Sequence, residues 1–320
     1  MTARRSSRVA WFVVKVAISV ALLYVAVRNI GIRSLGTDIR QVNLPLLGLA
    51  LLQSIAIPFL GGVRWRLVLR AIGGELHFLA STRLFWIGMV FSQVLPSVSG
   101  GDAVRAVIAW REGLPLARTI HSVILERVAV LATLIVLVAV LHMFRQDALP
   151  GARWPLILAC LAVIMGLALL LYADKFADRL PQRLPVTAIK NLAVAARQVY
   201  LSATGAKVAI LAMLTHLNFA LASYWLGRSL GLSLTFGDYL YLVSMVTLVA
   251  TLPLSIGGWG IRENVTVALF GTAGVSAHAA LAFSVLSGLT VSAVSLCGLP
   301  LLWMGTAKPD PVLTDPPQLS

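Results

Sequence analysis

Six stretches of about 20 residues, 9–28, 42–60, 119–143, 154–173, 206–227 and 278–304, are nearly free of charge and apolar on every side. A helix rising 1.5 Å per residue needs about that length to cross the hydrocarbon of a bilayer. Each stretch therefore predicts a membrane-spanning helix, and because none has a polar face, periodicity does not orient them. Two further apolar segments, 78–98 and 237–256, differ: each runs into a loop rich in Pro and Gly. The loops are QVLPSVSGGDAVRA at 93–106 and ATLPLSIGGWGIREN at 250–264.

Laid over each other, the two loops share one pattern, LPxxxGGxxxR. Leu95, Pro96, Gly100, Gly101 and Arg105 match Leu252, Pro253, Gly257, Gly258 and Arg262 at a constant offset of 157 residues, close to half the chain. An apolar residue, Val104 or Ile261, precedes each Arg. Such a recurrence reads as an internal repeat, with half-repeats of about 9–150 and 154–306. Paired Pro/Gly interruptions, with Pro96 and Pro253 as the helix breaks, are the mark of a binding site built from broken helices. Pro and Gly also punctuate ordinary helix ends, but the matched Arg is not needed to end a helix.

Composition enlarges this picture. Of 320 residues, 59% are hydrophobic and 12% charged, against roughly 25% charged in soluble domains. The expected fold is an all-α polytopic membrane protein with about six to eight transmembrane helices and two re-entrant Pro/Gly-broken hairpins. Residues 1–306 form one integral-membrane domain and 307–320 a disordered tail. The polar stretches are the first eight residues, a loop near 174–206 and that tail, and none is large enough to bury a core of its own. The N-terminal MTARRSSR precedes a retained first helix rather than a cleaved signal, since 9–28 is long and no small-residue cleavage site follows.

Lys and Arg number 26 against 12 Asp and Glu, for a net charge of +14. Because these cations flank apolar spans, anionic headgroups and the positive-inside bias account for them, and nucleic acid is not the expected partner. If 78–98 crosses the membrane, Lys and Arg divide 10 against 12 between the two sides, which is no bias. If it dips in and returns, they divide 16 against 6. The re-entrant reading is thus favoured, with a cytoplasmic N-terminus, and 237–256 then enters from the opposite side as the other half of an inverted repeat.

Charges inside a bilayer cost a few kcal/mol each and read as functional. Asp102, Arg105, Glu126, Arg127, Arg262 and Glu263 form that set. Asp102 and Arg105 share a helix face, whereas Arg262 and Glu263 point about 100° apart, so an exchange of partners between the halves is expected. Arg binds phosphate through a planar fork, and Gly-Gly turns let backbone N–H groups approach an anion. Gly100, Gly101, Gly257 and Gly258 join the Arg residues as a candidate headgroup site; structural ion pairing is the competing reading. Arg64, Arg66 and Arg70 are expected to be interfacial anchors with Trp65. The five His residues, 77, 121, 142, 216 and 278, show no metal-binding spacing, Cys160 and Cys297 sit in apolar stretches, and neither a metal nor a cofactor is expected. No GxSxG, Walker or GxGxxG motif is present.

FSQVLPSVSGGDAVRA, ILERVAVL at 124–131 and PLSIGGWGIRENVTVALF at 253–270, in this order, resemble the lysylphosphatidylglycerol synthase transmembrane-region family. This is the flippase-like membrane half of the bacterial multiple peptide resistance factor proteins. The resemblance extends over roughly 9–304 and implies lipid translocation in the bacterial inner membrane. In two-part members a separate domain aminoacylates phosphatidylglycerol; this chain stops about 16 residues after its last span, so the expectation is a stand-alone member without the synthase. The expected function is translocation of a phospholipid or polyprenyl-linked anionic headgroup, with a separate soluble synthase or glycosyltransferase as a candidate partner. The alternatives are an intramembrane transferase using Asp102 or Glu126 as base, and a membrane subunit of a lipid or glycan synthesis complex.

Overall fold

The computed structural model describes residues 42–94, 100–145, 150–177, 186–251 and 260–304, and among these it is helical with no strand. The expected span 9–28, the tail 307–320, Pro96, Pro253, Gly257 and Gly258 lie outside the described residues. In chain order the helices are α1 (Leu44–Ser54), α2 (Ala56–Ala71), α3 (Phe78–Val94), α4 (Gly100–Arg111), α5 (Leu116–Met143), α6 (Arg153–Ala177), α7 (Val186–Tyr200), α8 (Ala203–Ser229), α9 (Phe236–Ala250), α10 (Ile261–Gly271) and α11 (Ala277–Leu296). A short 3-10 turn, Leu299–Leu302, extends α11.

Among the described residues, five segments are long and apolar enough to cross a membrane: Leu44–Ala71, Leu116–Met143, Arg153–Ala177, Ala203–Ser229 and Ala277–Leu302. The chain is a multi-pass membrane protein. Two boundaries depart from expectation. The second span does not stop at residue 60 but runs through Ala71, because the charge of Arg64 that argued for an end there is paired inside the bundle. Much of the supposed loop at 174–206 is helical too, as α7 is strongly amphipathic and buries Ala193, Ala195, Ala196 and Val199.

Polar caps start the helices at one end of the bundle. Asn43, Thr235 and Ser276 each accept a backbone N–H from the first turn of α1, α9 and α11, satisfying donors a helix leaves open. Asn43 N–H donates to the Ser229 carbonyl at 2.9 Å, so α8 ends where α1 begins. At this same end Arg145, just past α5, pairs with Asp238 of α9.

Helices α3 and α4 are antiparallel. Arg83, in the second turn of α3, pairs with Glu112 just past α4, and Gly88 meets Gly101 deeper in. Both open ends of this hairpin lie beside the loops that leave α2 and enter α5; Arg118 donates to the Gly73 carbonyl there at 2.8 Å. Helices α9 and α10 make a second hairpin, with Tyr239 near the start of α9 against Phe270 near the end of α10. Its base sits at the end marked by Asn43 and Ser229. The two hairpins therefore open at opposite ends of the bundle.

A long helix, two short helices and a long helix occur in that order twice, at 44–143 and again at 203–302. The halves grip each other: Arg83 also donates to the Met304 carbonyl at 2.5 Å, Trp86 to the Val294 carbonyl at 2.8 Å, and Gln53 to the Asn218 side chain at 2.5 Å.

Candidate functional site

Small residues bring the charged ones together. A side chain at Gly61 would overlap the Phe85 ring and one at Gly62 the backbone of Thr82, so α2 and α3 meet closely there. One turn on, Arg64 and Trp65 are both buried, and Arg64 turns towards α5 and α8. A Cβ on Gly101 would overlap the Gly88 carbonyl oxygen, so the first turn of α4 lies against the middle of α3. This contact places Asp102 and Arg105 opposite α5, where Glu126 lies ten residues in from Leu116, at about 15 Å along the axis.

Three guanidinium groups and two carboxylates meet at this point. Glu126, 1% exposed, accepts at Oε1 from Arg64 Nε (2.8 Å) and Nη2 (2.5 Å), and at Oε2 from Arg105 Nη2 (2.7 Å). Asp102 accepts at Oδ1 from Arg105 Nε (3.1 Å) and Arg127 Nη2 (2.8 Å), and at Oδ2 from Arg127 Nε (2.6 Å). Arg64 Nη1 donates to Thr215 Oγ1 of α8 at 2.7 Å. The Arg105 guanidinium lies 4.8 Å from the Trp65 ring centre and 4.9 Å from that of Phe85, a cation–π sandwich. Trp65 is itself tied to Ser122 at 2.9 Å.

Two features stand out. With three cations against two anions, the cluster holds one positive charge in excess. Arg105 is 1% exposed, yet among the described residues its Nη1 has no hydrogen-bond partner, although a buried polar donor left unpaired costs roughly 1–3 kcal/mol. Arg127 differs from its neighbours: its side chain is 46% exposed, so the cluster opens on that flank.

The second half is arranged otherwise. Glu263, fully buried, accepts the Gly260 N–H at 2.5 Å and so caps α10. Arg262 donates to its Oε1 from Nε at 3.0 Å and Nη2 at 2.5 Å, and its guanidinium lies where a side chain on Gly288 of α11 would have to go. The exchange of partners between halves is thus not what these contacts show: Arg105 and Arg127 pair with Asp102 and Glu126, and Arg262 pairs with the residue next to it. A 100° offset does not separate neighbours when one is as long as Arg and can curl back along the helix.

Among the candidates, Asp102, Arg105, Glu126 and Arg127 converge. Gly101 sets the spacing beside them, and Gly100 opens α4 next to it. Arg64 corrects the sequence reading: it is not an interfacial anchor but a buried member of the cluster, and Trp65 beside it is wholly buried. Arg66 donates to the Leu76 carbonyl and Arg70 pairs with Glu75 near the surface. Nothing in the sequence around Arg64 marked it, because its partners Glu126 and Thr215 lie on α5 and α8. Gly260 was also missed: its φ of 87° lies where glycine is favoured, at the turn that Glu263 caps. Thr215 carried no signal, because its role depends on how α8 packs.

Residues 12–298 match the family described as lysylphosphatidylglycerol synthase TM region. No curated protein matches the chain.

Proposed function

The chain belongs to the lysylphosphatidylglycerol synthase transmembrane-region family, and from that premise we propose that it translocates a phospholipid or polyprenyl-linked anionic headgroup across the bacterial inner membrane. Its family and its apolar spans fit a membrane lipid-related role. The observation that carries the finer reading is Arg105: a buried guanidinium with one unpaired donor, in a cluster with an uncompensated positive charge. A phosphate oxygen supplies both the missing acceptor and the missing charge. Arg127 offers the approach from the exposed flank. Arg64, Asp102 and Glu126 hold Arg105 in place. The carboxylates serve as acceptors for these guanidinium groups, which favours anchoring over the base that a transferase would need.

The recurring order of helices and the hairpins opening at opposite ends support an inverted repeat of two half-units, about 9–150 and 154–306. The Lys and Arg count supports re-entry of 78–98 from the cytoplasmic side, with the N-terminus there as well. Arg262 and Glu263 contribute differently in this scheme, bracing the second hairpin while the first holds the phosphate.

The test is leaflet-specific labelling of lipids in proteoliposomes containing the purified protein. Wild type is expected to move labelled anionic lipid between leaflets. Arg105→Lys, which keeps the charge but loses the fork, and Arg127→Gln, at the exposed flank, are each expected to slow it at least tenfold at equal protein incorporation. Unchanged rates in both variants would refute the site.

A further inference from the structure

A cavity with both polar and apolar walls lies apart from the Arg105 cluster, at the end of the bundle where α2 leaves and α5 begins. Its volume is about 360 Å³, within the range of small-molecule sites, roughly 300–1,000 Å³. Helix α7 roofs it with Asn191, Val194, Ala195 and Gln198, which share one face at helical spacing, and the first turns of α5 supply Arg118 and His121. Arg118 uses one nitrogen on the Gly73 carbonyl and is otherwise exposed, so its cation faces this space without a carboxylate in the lining. Ile72 and Val194 make the remaining wall apolar.

The placement restricts what this cavity can hold. It sits where the span Leu116–Met143 begins, at the end of the bundle, under a helix whose apolar face packs on the bundle. A ligand here meets one cation, two side-chain amides and an imidazole on one side and aliphatic groups on the other. We propose that this cavity binds the phosphodiester of an anionic phospholipid from the leaflet at this end. Arg118 takes the phosphate, Asn191 and Gln198 the phosphate or glycerol oxygens, and Ile72 with Val194 the first carbons of the tails.

Helix α7, which roofs the cavity, also reaches the helix that carries Glu126. Tyr200, at the end of that helix, donates to the Leu125 carbonyl at 2.5 Å, immediately before Glu126. Burial, and after it the negative Glu126, holds the Tyr200 phenol above its ordinary range, so it stays a donor. The site stands independently of the translocation reading, and its test separates the two.

The full-length protein, delipidated in detergent, is titrated with phosphatidylglycerol or phosphatidylcholine and bound lipids are counted by native mass spectrometry. Wild type is expected to retain phosphatidylglycerol over phosphatidylcholine at two places. Arg118→Gln and Val194→Trp, the latter filling the cavity from its exposed side, are each expected to weaken one of them at least tenfold. Arg127→Gln is expected to weaken the other and leave the Arg118 site intact. Retention by both cavity variants equal to wild type overturns the proposal, as does loss of both lipids in any single variant. Competition by millimolar glycerol phosphate would show that the ligand is a soluble phosphate and overturn the assignment to lipid; no competition supports it. Failure of translocation alone, with the Arg118 site occupied, would refute only the central reading.

Discussion

Glu126 shows why a buried charge is a poor guide to stability until its partners are named. Its two oxygens take three donors from two Arg residues, and breaking such a buried pair by removing one partner typically costs about 3–5 kcal/mol, because an uncompensated charge is left behind. Glu126→Gln is therefore expected to destabilise the protein by about that much, leaving three guanidinium groups on one carboxylate. Glu75→Gln removes the partner of Arg70 where both side chains are more than half exposed, and such surface pairs contribute only about 0–1 kcal/mol. Unfolding of detergent-solubilised protein by increasing SDS fraction measures both. Equal losses in the two variants would mean that the Glu126 cluster is solvated and would remove its claim to be a dry anion site.

At the level of helices, close approach depends on the absence of a side chain. Gly101 meets backbone, the Gly88 carbonyl, so neither rotamer change nor a flexible neighbour can make room for a methyl group. Gly101→Ala should cost about 1–3 kcal/mol through overpacking and shift Asp102 and Arg105 away from α5. Gly166→Ala in α6, where nothing lies within 4 Å of the added carbon, should be neutral or stabilise by up to about 1 kcal/mol through helix propensity. The same unfolding measurement compares them, and a neutral Gly101→Ala would contradict the packing of α3 on α4. The Pro/Gly-rich loop made the break between α3 and α4 legible in the sequence, and the spacing of three made the grouping of Asp102 with Arg105 legible. Arg64 was hidden because a charge near the end of an apolar run looks like the end of the span; only the packing of α2 on α5 reveals that Glu126 neutralises it. The expected pairing of Arg262 with Asp102 or Glu126 gave way to one with Glu263 for a related reason: spacing along one helix says which faces residues occupy but not how far a long side chain reaches.

For the molecule as a whole, the contacts give two antiparallel helix pairs, α3–α4 and α9–α10, with their bases at opposite ends of the bundle, each tied there to the other half. Arg83, in the first hairpin, holds the Met304 carbonyl past the last span of the second half; Asp238, in the second hairpin, holds Arg145 past the last span of the first. The two ties correspond under an exchange of the halves, as an inverted repeat requires. The proposed topology places the loop after α2 and the loop before α11 on different sides of the membrane. Glu75 and Ala273 are exposed in those two loops, so each can be replaced by Cys in a background where Cys160 and Cys297 are Ser. A membrane-impermeant maleimide applied to intact spheroplasts is expected to label Ala273→Cys and to reach Glu75→Cys only after the membrane is opened. The direction expected is that of the proposed orientation, in which the 16 against 6 division of Lys and Arg favours a cytoplasmic Glu75 loop. Labelling of both from one side would break the opposed-hairpin topology itself, whereas reversed labelling would keep the topology and overturn only the orientation assigned from charge.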